Sequence, residues 1–436
     1  MSSFPSHTPD HLSSVDPQQW PGVVTIPGGI LNAAKARRSE AEFALVCEKT
    51  NIRLGGDEPD LRIIREELFK RIAKSGWLGL AEGYMAGEWE SKQLVDVLTK
   101  LLEVGYCPRT SRTHIRELAG QYSGLELPQD LIQLFSGDGM SYHGPVFSSG
   151  VPTTQRNQYK SYVPGAGKGR EPASHFVDVT ELQEPALVER VDFSDAQLRA
   201  ATQLLESARV SAGTHIADFP SSGPLVPIIA AHNAAVADVY TADVDHANWL
   251  QEVFQEVKVN LDIHINVTDG VFPELRRLSR TYDAITSVEK LETMPLETQR
   301  HYVSALDRML APYGFVSMQT VVKTPNYTET SERALDVLRA YVWPGLTMSS
   351  PEDVHRLFDT HSNLRIVAQK CFGKHYNHGL QMQRELFEGN MREAAADGFD
   401  VTFRRLWVFQ LALREALFRL EMIDAVQLTI TTRQRR

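Results

Sequence analysis

The sequence predicts an α/β protein, with a mostly parallel sheet covered by helices on both faces and a smaller α+β domain before it. Three observations carry this expectation. Beyond Phe193, short apolar runs alternate with helical patterns, as in parallel strands joined by crossover helices. The chain has 436 residues, more than one domain usually holds. A stretch rich in Gly, Pro, Lys and Arg between Ser148 and Arg190 separates two textures.

Taken in order, residues 1–40 read as a mobile leader, rich in Ser, Pro and His as far as Trp20. It has no apolar segment of the secretory type. An N-terminal domain is expected over 41–135, a connecting segment with a long loop over 136–192, and the α/β domain over 193–430. Within the first domain, Phe43 to Leu54 suggests a strand and turn. Glu66 to Ala73 and Ser91 to Leu102 suggest amphipathic helices, with Ser91 as N-cap. The basic GAGKGR lacks the spacing and the Ser/Thr of a phosphate-binding loop and reads as a flexible loop.

In the α/β domain a helix is expected over Asp195 to Ala208. Strands are expected at His215–Phe219, Ala235–Tyr240, Asp262–Val267, Ala284–Val288 and Gly314–Val322. Helices between them fall at Ala247–Val257 and Gln299–Leu310. Ligands in such sheets bind beyond the carboxyl ends of the strands.

A net charge of −10 speaks against nucleic acid as a partner. The terminal Arg433, Arg435 and Arg436 read as a solvated tail. Cys47, Cys107 and Cys371 fit neither a disulfide framework nor a zinc pattern, so a cytoplasmic location is expected. No apolar run approaches the ~20 residues that span a bilayer. His375 and His378 have a metal-like spacing, but no carboxylate or Cys accompanies them, and they read as a polar pocket edge. Trp77, Trp89, Trp343 and Trp407 read as core or pocket-wall aromatics.

Six segments occur in an order that resembles one lipid-modifying family. They are GWLGLAEGYMAGEWESKQLVDVLTKLL (76–102), MSYHGPVF (140–147), SVEKLETM (287–294), YVWPGLTMSS, FGKHYNHGL and FRRLWVFQLALREALFR. The chain resembles the cyclopropane-fatty-acid synthases, with WPGVVTIPGG similar to the actinobacterial branch that methylates oleoyl chains. The resemblance implies a Rossmann-like class I methyltransferase domain with a seven-stranded sheet, and a lipid-substrate role for residues 41–135. It also implies methyl transfer from S-adenosyl-L-methionine to a cis double bond in a phospholipid acyl chain, with peripheral membrane contact.

In that family the carbocation formed by methylation loses a proton to a bicarbonate, held by a Glu, a His, a Tyr and a Cys-containing turn. The resemblance places Glu292 at the Glu, Gln319 at the His and Tyr376 at the Tyr. Gly144 stands for the Cys, Thr293 for the His that follows the Glu, and Arg414 for a further Cys. Tyr142 and His143 fall in the cofactor-site motif.

The family's cofactor loop reads roughly LDIGCGWG, whereas this chain has IADFPSSGPLVP (216–227). Asp218 keeps the acidic position, and Ser222 and Gly223 occupy the turn. Pro220 and Pro224 cannot take a positive φ or donate an N–H, so weak or absent cofactor binding is expected. Asp243 is a candidate for the ribose and Asp269 for the adenine. Two functions follow from the resemblance. One is an active lipid methyltransferase. The other is a catalytically impaired relative that binds lipid or regulates a partner, as a homo-oligomer or beside a catalytic paralogue.

Overall fold

The computed structural model describes residues 10–108, 110, 122–148, 152–160, 174–272 and 281–433. GAGKGR and the last three residues lie outside them. The chain forms two units, one of residues 1–121, 327–344 and 388–422, the other of residues 122–326, 345–387 and 423–436. The expected boundaries made the first unit one continuous stretch, but the chain enters it three times.

The first unit is built on helices, among them Ile30–Lys49, Glu67–Ser75, Trp77–Met85, Leu94–Glu103 and Val401–Arg419. Its described strands are the two-residue antiparallel pair β1 (Arg62–Ile63) and β2 (Trp89–Glu90), so little of the expected β content is present. The strand expected from Phe43 lies instead inside the helix Ile30–Lys49. Ala36, Ser39, Phe43 and Cys47 are buried, and their spacings of three and four define one helical face. A window beginning at Phe43 hides that period.

Within the expected leader, helices form at Asp10–Leu12 and Pro21–Val24 and from Ile30 onward. The carbonyls of Gly22 and Val23 accept hydrogen bonds from the Arg71 guanidinium, whose Nε donates to Glu88 at 2.9 Å. Both side chains are buried, and burial lifts the Glu88 carboxyl to about 7 against the pull of Arg71. Ser91 is not the N-cap of Leu94–Glu103; that position is Gln93, whose N–H donates to Ser91 Oγ at 3.0 Å. Trp77, Trp89 and Trp407 are core residues as expected.

The second unit is a nine-stranded sheet in the order β3-β4-β10-β11-β9-β8-β5-β6-β7. The strands are β3 (Pro152–Lys160), β4 (Ser174–Leu182), β5 (His215–Asp218), β6 (Val236–Thr241), β7 (Ile263–Val267), β8 (Tyr282–Val288), β9 (Leu310–Lys323), β10 (Leu364–Cys371) and β11 (Ile423–Thr432). Each of the five strands expected from the apolar runs is present. The pairs β5/β6, β6/β7, β5/β8 and β8/β9 are parallel, while β11 runs antiparallel to β9 and β10.

These seven strands form the expected α/β sheet, and the hairpin β3/β4 extends it by pairing β4 with β10. That hairpin occupies much of the expected long loop. Its Thr, Val, Tyr and Phe residues favour strands, a signal masked by the Gly/Pro-rich run between them.

Helices cover both faces. Leu296–Met309 and Pro351–His361 bury Tyr302, Leu306 and Phe358 on one side. Phe193–Ser207, Leu225–His232 and Val244–Glu256 bury Leu204, Val226 and Leu250 on the other. From β5 the chain runs outward to β6 and β7, then returns to place β8 and β9 on the opposite side. The carboxyl ends of β5 and β8 therefore meet at the topological switch point, where such sheets take their ligands. Just past β11, Arg433 donates to the carbonyl of Ser362 at 2.9 Å and to that of Asp359. It is part of the fold, not of a solvated tail.

Candidate active site

The residue that follows β8 organises the site. Glu289 is buried and holds φ at +52°, a left-handed conformation that costs a side-chain-bearing residue on the order of 1–3 kcal/mol. Parallel pairing sets Val288 opposite Gln319 of β9, and the Glu289 N–H donates to the Gln319 carbonyl at 2.8 Å. Strand register thus brings the two side chains together.

Three donors converge on the Glu289 carboxylate. Gln319 Nε2 donates to Oε1 at 2.9 Å, the backbone N–H of Gly144 donates to Oε1 at 3.0 Å, and the Tyr376 hydroxyl donates to Oε2 at 2.9 Å. The Gln319 amide is oriented from behind by Gln427 of β11, whose Nε2 donates to Gln319 Oε1 at 3.2 Å and to the Ala200 carbonyl at 3.0 Å. A backbone carbonyl accepts only, so Ala200 fixes the Gln427 amide, and Gln427 in turn fixes Gln319 with its NH₂ toward Glu289.

Gln319 and Tyr376, both expected in the site, therefore meet there. Glu292, expected beside them, does not join them. Its oxygens accept from Thr320 Oγ1 at 2.7 Å and from the Val321 N–H at 3.2 Å. Burial first, and the Glu289 charge second, raise its carboxyl to about 7. The only sequence signal for Glu289 was its place in SVEKLETM, a second carboxylate three residues before Glu292.

Around this cluster, the segment Ser136 to Phe147 folds on Asp138, whose Oδ1 accepts from Ser136 Oγ and from the N–H groups of Met140 and Ser141. Tyr142 and His143 follow. Burial pushes the Tyr142 phenol well above its ordinary range and His143 below its own, while the Glu289 charge draws His143 back upward. His375 accepts from the Phe147 N–H at Nδ1 and meets the Gln183 carbonyl at Nε2, whereas His378 pairs with Glu184. Their different partners agree with a polar edge. Among the described residues no group of three or more His, Cys, Asp or Glu could hold a metal ion.

At the carboxyl end of β5, Asp218 is fully buried and accepts from Thr286 Oγ1 at 2.8 Å. Burial lifts its carboxyl to about 7, against the pull of Thr286 and Ser221. The loop that follows is tied to β6 and to itself. The Ser221 N–H donates to the Tyr240 carbonyl at 2.8 Å, and the Gly223 N–H donates to Ser221 Oγ at 3.3 Å. Gly223 keeps φ at +137°, and a Cβ there would lie 2.8 Å from the Met140 carbonyl oxygen. Ser222 beside it is buried. Of the expected loss of positive-φ positions, one is therefore spared. Pro224 stands at the N-cap of Leu225–His232, where its missing N–H costs little.

Both carboxylate oxygens of Asp243, the candidate for the ribose, accept from backbone N–H groups. Oδ1 caps the helix Val244–Glu256 by accepting from the N–H groups of Asp245 and His246, and Oδ2 accepts from the Glu126 N–H at 3.1 Å. Asp269 is exposed on the turn after β7, unlike the buried groups. A buried ion pair, Lys290 with Glu126, lies in the same region, with the Lys290 ammonium 5.6 Å from the Tyr142 ring centre.

A nucleoside-bearing sulfonium such as S-adenosyl-L-methionine needs buried polar atoms and a close backbone approach at the switch point. His246 is buried with Nε2 lacking a partner and its imidazole lowered to about 4, chiefly by burial. That nitrogen, one turn into the helix after β6, suits a ribose hydroxyl. With buried Asp218 and the close backbone at Gly223, the site fits the group. His246 was not among the expected site residues, although it stands about one helical turn from Asp243.

Residues 178–428 match the family model described as mycolic acid cyclopropane synthetase. The chain is 26% identical to the tuberculostearic acid methyltransferase of Mycobacterium tuberculosis, over 98% of this chain and 97% of that protein. It is 22% identical to the cyclopropane-fatty-acyl-phospholipid synthase of Escherichia coli, over 88% and 91% of the two chains. Among solved structures, a cyclopropane synthase from Mycobacterium tuberculosis aligns with a TM-score of 0.54 and 16% identity, over 73% of this chain and 98% of that one. A coclaurine N-methyltransferase aligns with a TM-score of 0.53 and 12% identity, over 81% and 99%. These structures share the methyltransferase fold.

Proposed function

This chain belongs to the mycolic acid cyclopropane synthetase family, and from that membership we propose that it methylates the double bond of an unsaturated phospholipid acyl chain. The observation that carries the reading is the buried polar cluster of Gly144, Glu289, Gln319 and Tyr376 at the switch point. When bound, S-adenosyl-L-methionine supplies an electrophilic methyl carbon. Asp218, Ser222, Gly223 and His246 are the residues that would hold it, with Tyr142 and His143 beside them.

An alkene that accepts a methyl group becomes cationic on its other carbon, and a proton must then leave. The protein's task is to hold the alkene, keep water out and present a proton acceptor. A buried carboxylate cluster meets that need. The names of the two sequence relatives, both lipid-modifying enzymes, support a lipid substrate. No helix among the described residues is long and apolar enough to cross a membrane, so we infer that the chain meets lipid from the membrane surface, with the first unit presenting it.

The test is incubation of purified protein with methyl-labelled S-adenosyl-L-methionine and vesicles of dioleoyl phospholipid. Label in the acyl fraction, with a 14-mass-unit gain at the former double bond, is expected for methyl addition with loss of one proton. Donor binding by calorimetry without any acyl label would overturn the lipid reading, and absence of donor binding would overturn methyl transfer itself.

A further inference from the structure

We propose that Glu289 is a built-in base, a side-chain carboxylate that permanently fills an oxyanion site and takes the proton lost after methylation. The base role rests on the proposed alkene methylation; the filled oxyanion site rests on geometry alone. A backbone N–H, an amide NH₂ and a phenol O–H all point at one carboxylate, with Gln427 holding the amide in place. Three neutral donors around a buried pair of oxygens make a receptor for a planar oxyanion. Here the oxyanion is covalently part of the chain.

The backbone supports a functional origin. Glu289 carries its side chain at φ +52°, a conformation that glycine would adopt without strain. Retained strain of this kind concentrates at functional sites. Gly144 is matched to the arrangement, because a Cβ there would meet the Tyr376 ring at 1.9 Å and push the hydroxyl off Glu289.

The chemistry balances. The π electrons of the alkene form the new C–CH₃ bond as the C–S bond breaks onto sulfur. Glu289 then removes one proton, either from the transferred methyl, whose C–H pair closes a three-membered ring onto the cation, or from a carbon next to the cation, whose C–H pair becomes a double bond. The proton resides on the Glu289 carboxyl until it passes to solvent. No external oxyanion is consumed or required.

The test has two arms. In the first, apo wild type and Glu289→Gly are titrated with ¹³C-formate and ¹³C-bicarbonate, followed by line broadening and thermal shift. Glycine suits the positive φ, so the variant is expected to fold and to bind either anion in the millimolar range, while wild type binds neither. A folded Glu289→Gly that binds no anion, or a wild type that does, overturns the filled oxyanion site.

In the second arm, wild-type turnover is expected to be equal in bicarbonate-free and bicarbonate-replete buffer. Glu289→Gln, which keeps the side-chain shape, should lose on the order of a hundredfold in turnover with donor binding unchanged. Formate should restore part of the activity of Glu289→Gly. Bicarbonate dependence of the wild type, or full activity of Glu289→Gln, overturns the base role. A wild type that methylates no lipid removes the base role together with the proposed reaction, and the first arm still decides the oxyanion site.

Discussion

Gly144 and Tyr376 are packed so closely that no side chain fits between them, since a Cβ on Gly144 would stand 1.9 Å from Cδ2 of the Tyr376 ring. Tyr376 is itself buried, so its ring has little room to retreat. Gly144→Cys should therefore destabilise the protein by roughly 1–3 kcal/mol, the usual cost of overpacking, and detach the Tyr376 hydroxyl from Glu289. Urea unfolding and turnover measured together check this. Unchanged midpoint and unchanged turnover would contradict the packing.

Gln427 acts on the site through Gln319. Gln427→Leu removes the donor that fixes the Gln319 carbonyl, leaving that amide free to turn its oxygen toward Glu289. Turnover is expected to fall about tenfold, on the scale of one lost charge-assisted hydrogen bond, with KM for the lipid unchanged. Gln427→Asn, which keeps the amide on a shorter arm, should recover less than wild-type and more than leucine-variant turnover. An altered KM with intact kcat would assign Gln427 to substrate binding instead.

Asp243 serves as an N-cap, so Asp243→Ala should cost about 1 kcal/mol of stability. Asp243→Ser keeps a capping oxygen and should recover most of it. Calorimetric affinity for S-adenosyl-L-methionine should follow the cap, falling in the alanine variant and returning in the serine variant. A serine variant as weak in binding as alanine would restore a direct ligand role to the carboxylate.

Two buried carboxyls give stability a pH dependence. Glu292 is raised from 4.5 and Asp218 from 3.8, each to about 7, chiefly by burial. Between about 4 and 7 the native state then holds more protons than the unfolded chain, so stability falls as pH rises through that window and levels off above it. Glu292→Gln cannot ionise, keeps acceptor capacity for Thr320, and should flatten the decline by at most about 3 kcal/mol. Denaturant unfolding at pH 4.5 and 7.5 on both proteins gives the comparison. Parallel slopes would mean that Glu292 does not ionise in this range.

The order of strands and helices beyond Phe193 was legible in the sequence because each element carries its own period and its own boundary residues. Five strands appear where apolar runs placed them, and Gln319 and Tyr376 meet as the motif order implied. Long-range partnership was not legible. Glu289 and Glu292 are two similar carboxylates in one short segment, and only the pairing of Val288 with Gln319 decides which of them faces the donors. Asp243 looks equally able to bind a ribose or cap a helix until the N–H groups of Asp245, His246 and Glu126 claim its oxygens. The ordered N-terminal helices likewise depend on Arg71 reaching the carbonyls of Gly22 and Val23. Local sequence sets propensity and period, whereas hydrogen-bond partners distant in the chain are assigned only once the sheet register and the packing of its helices bring them within reach.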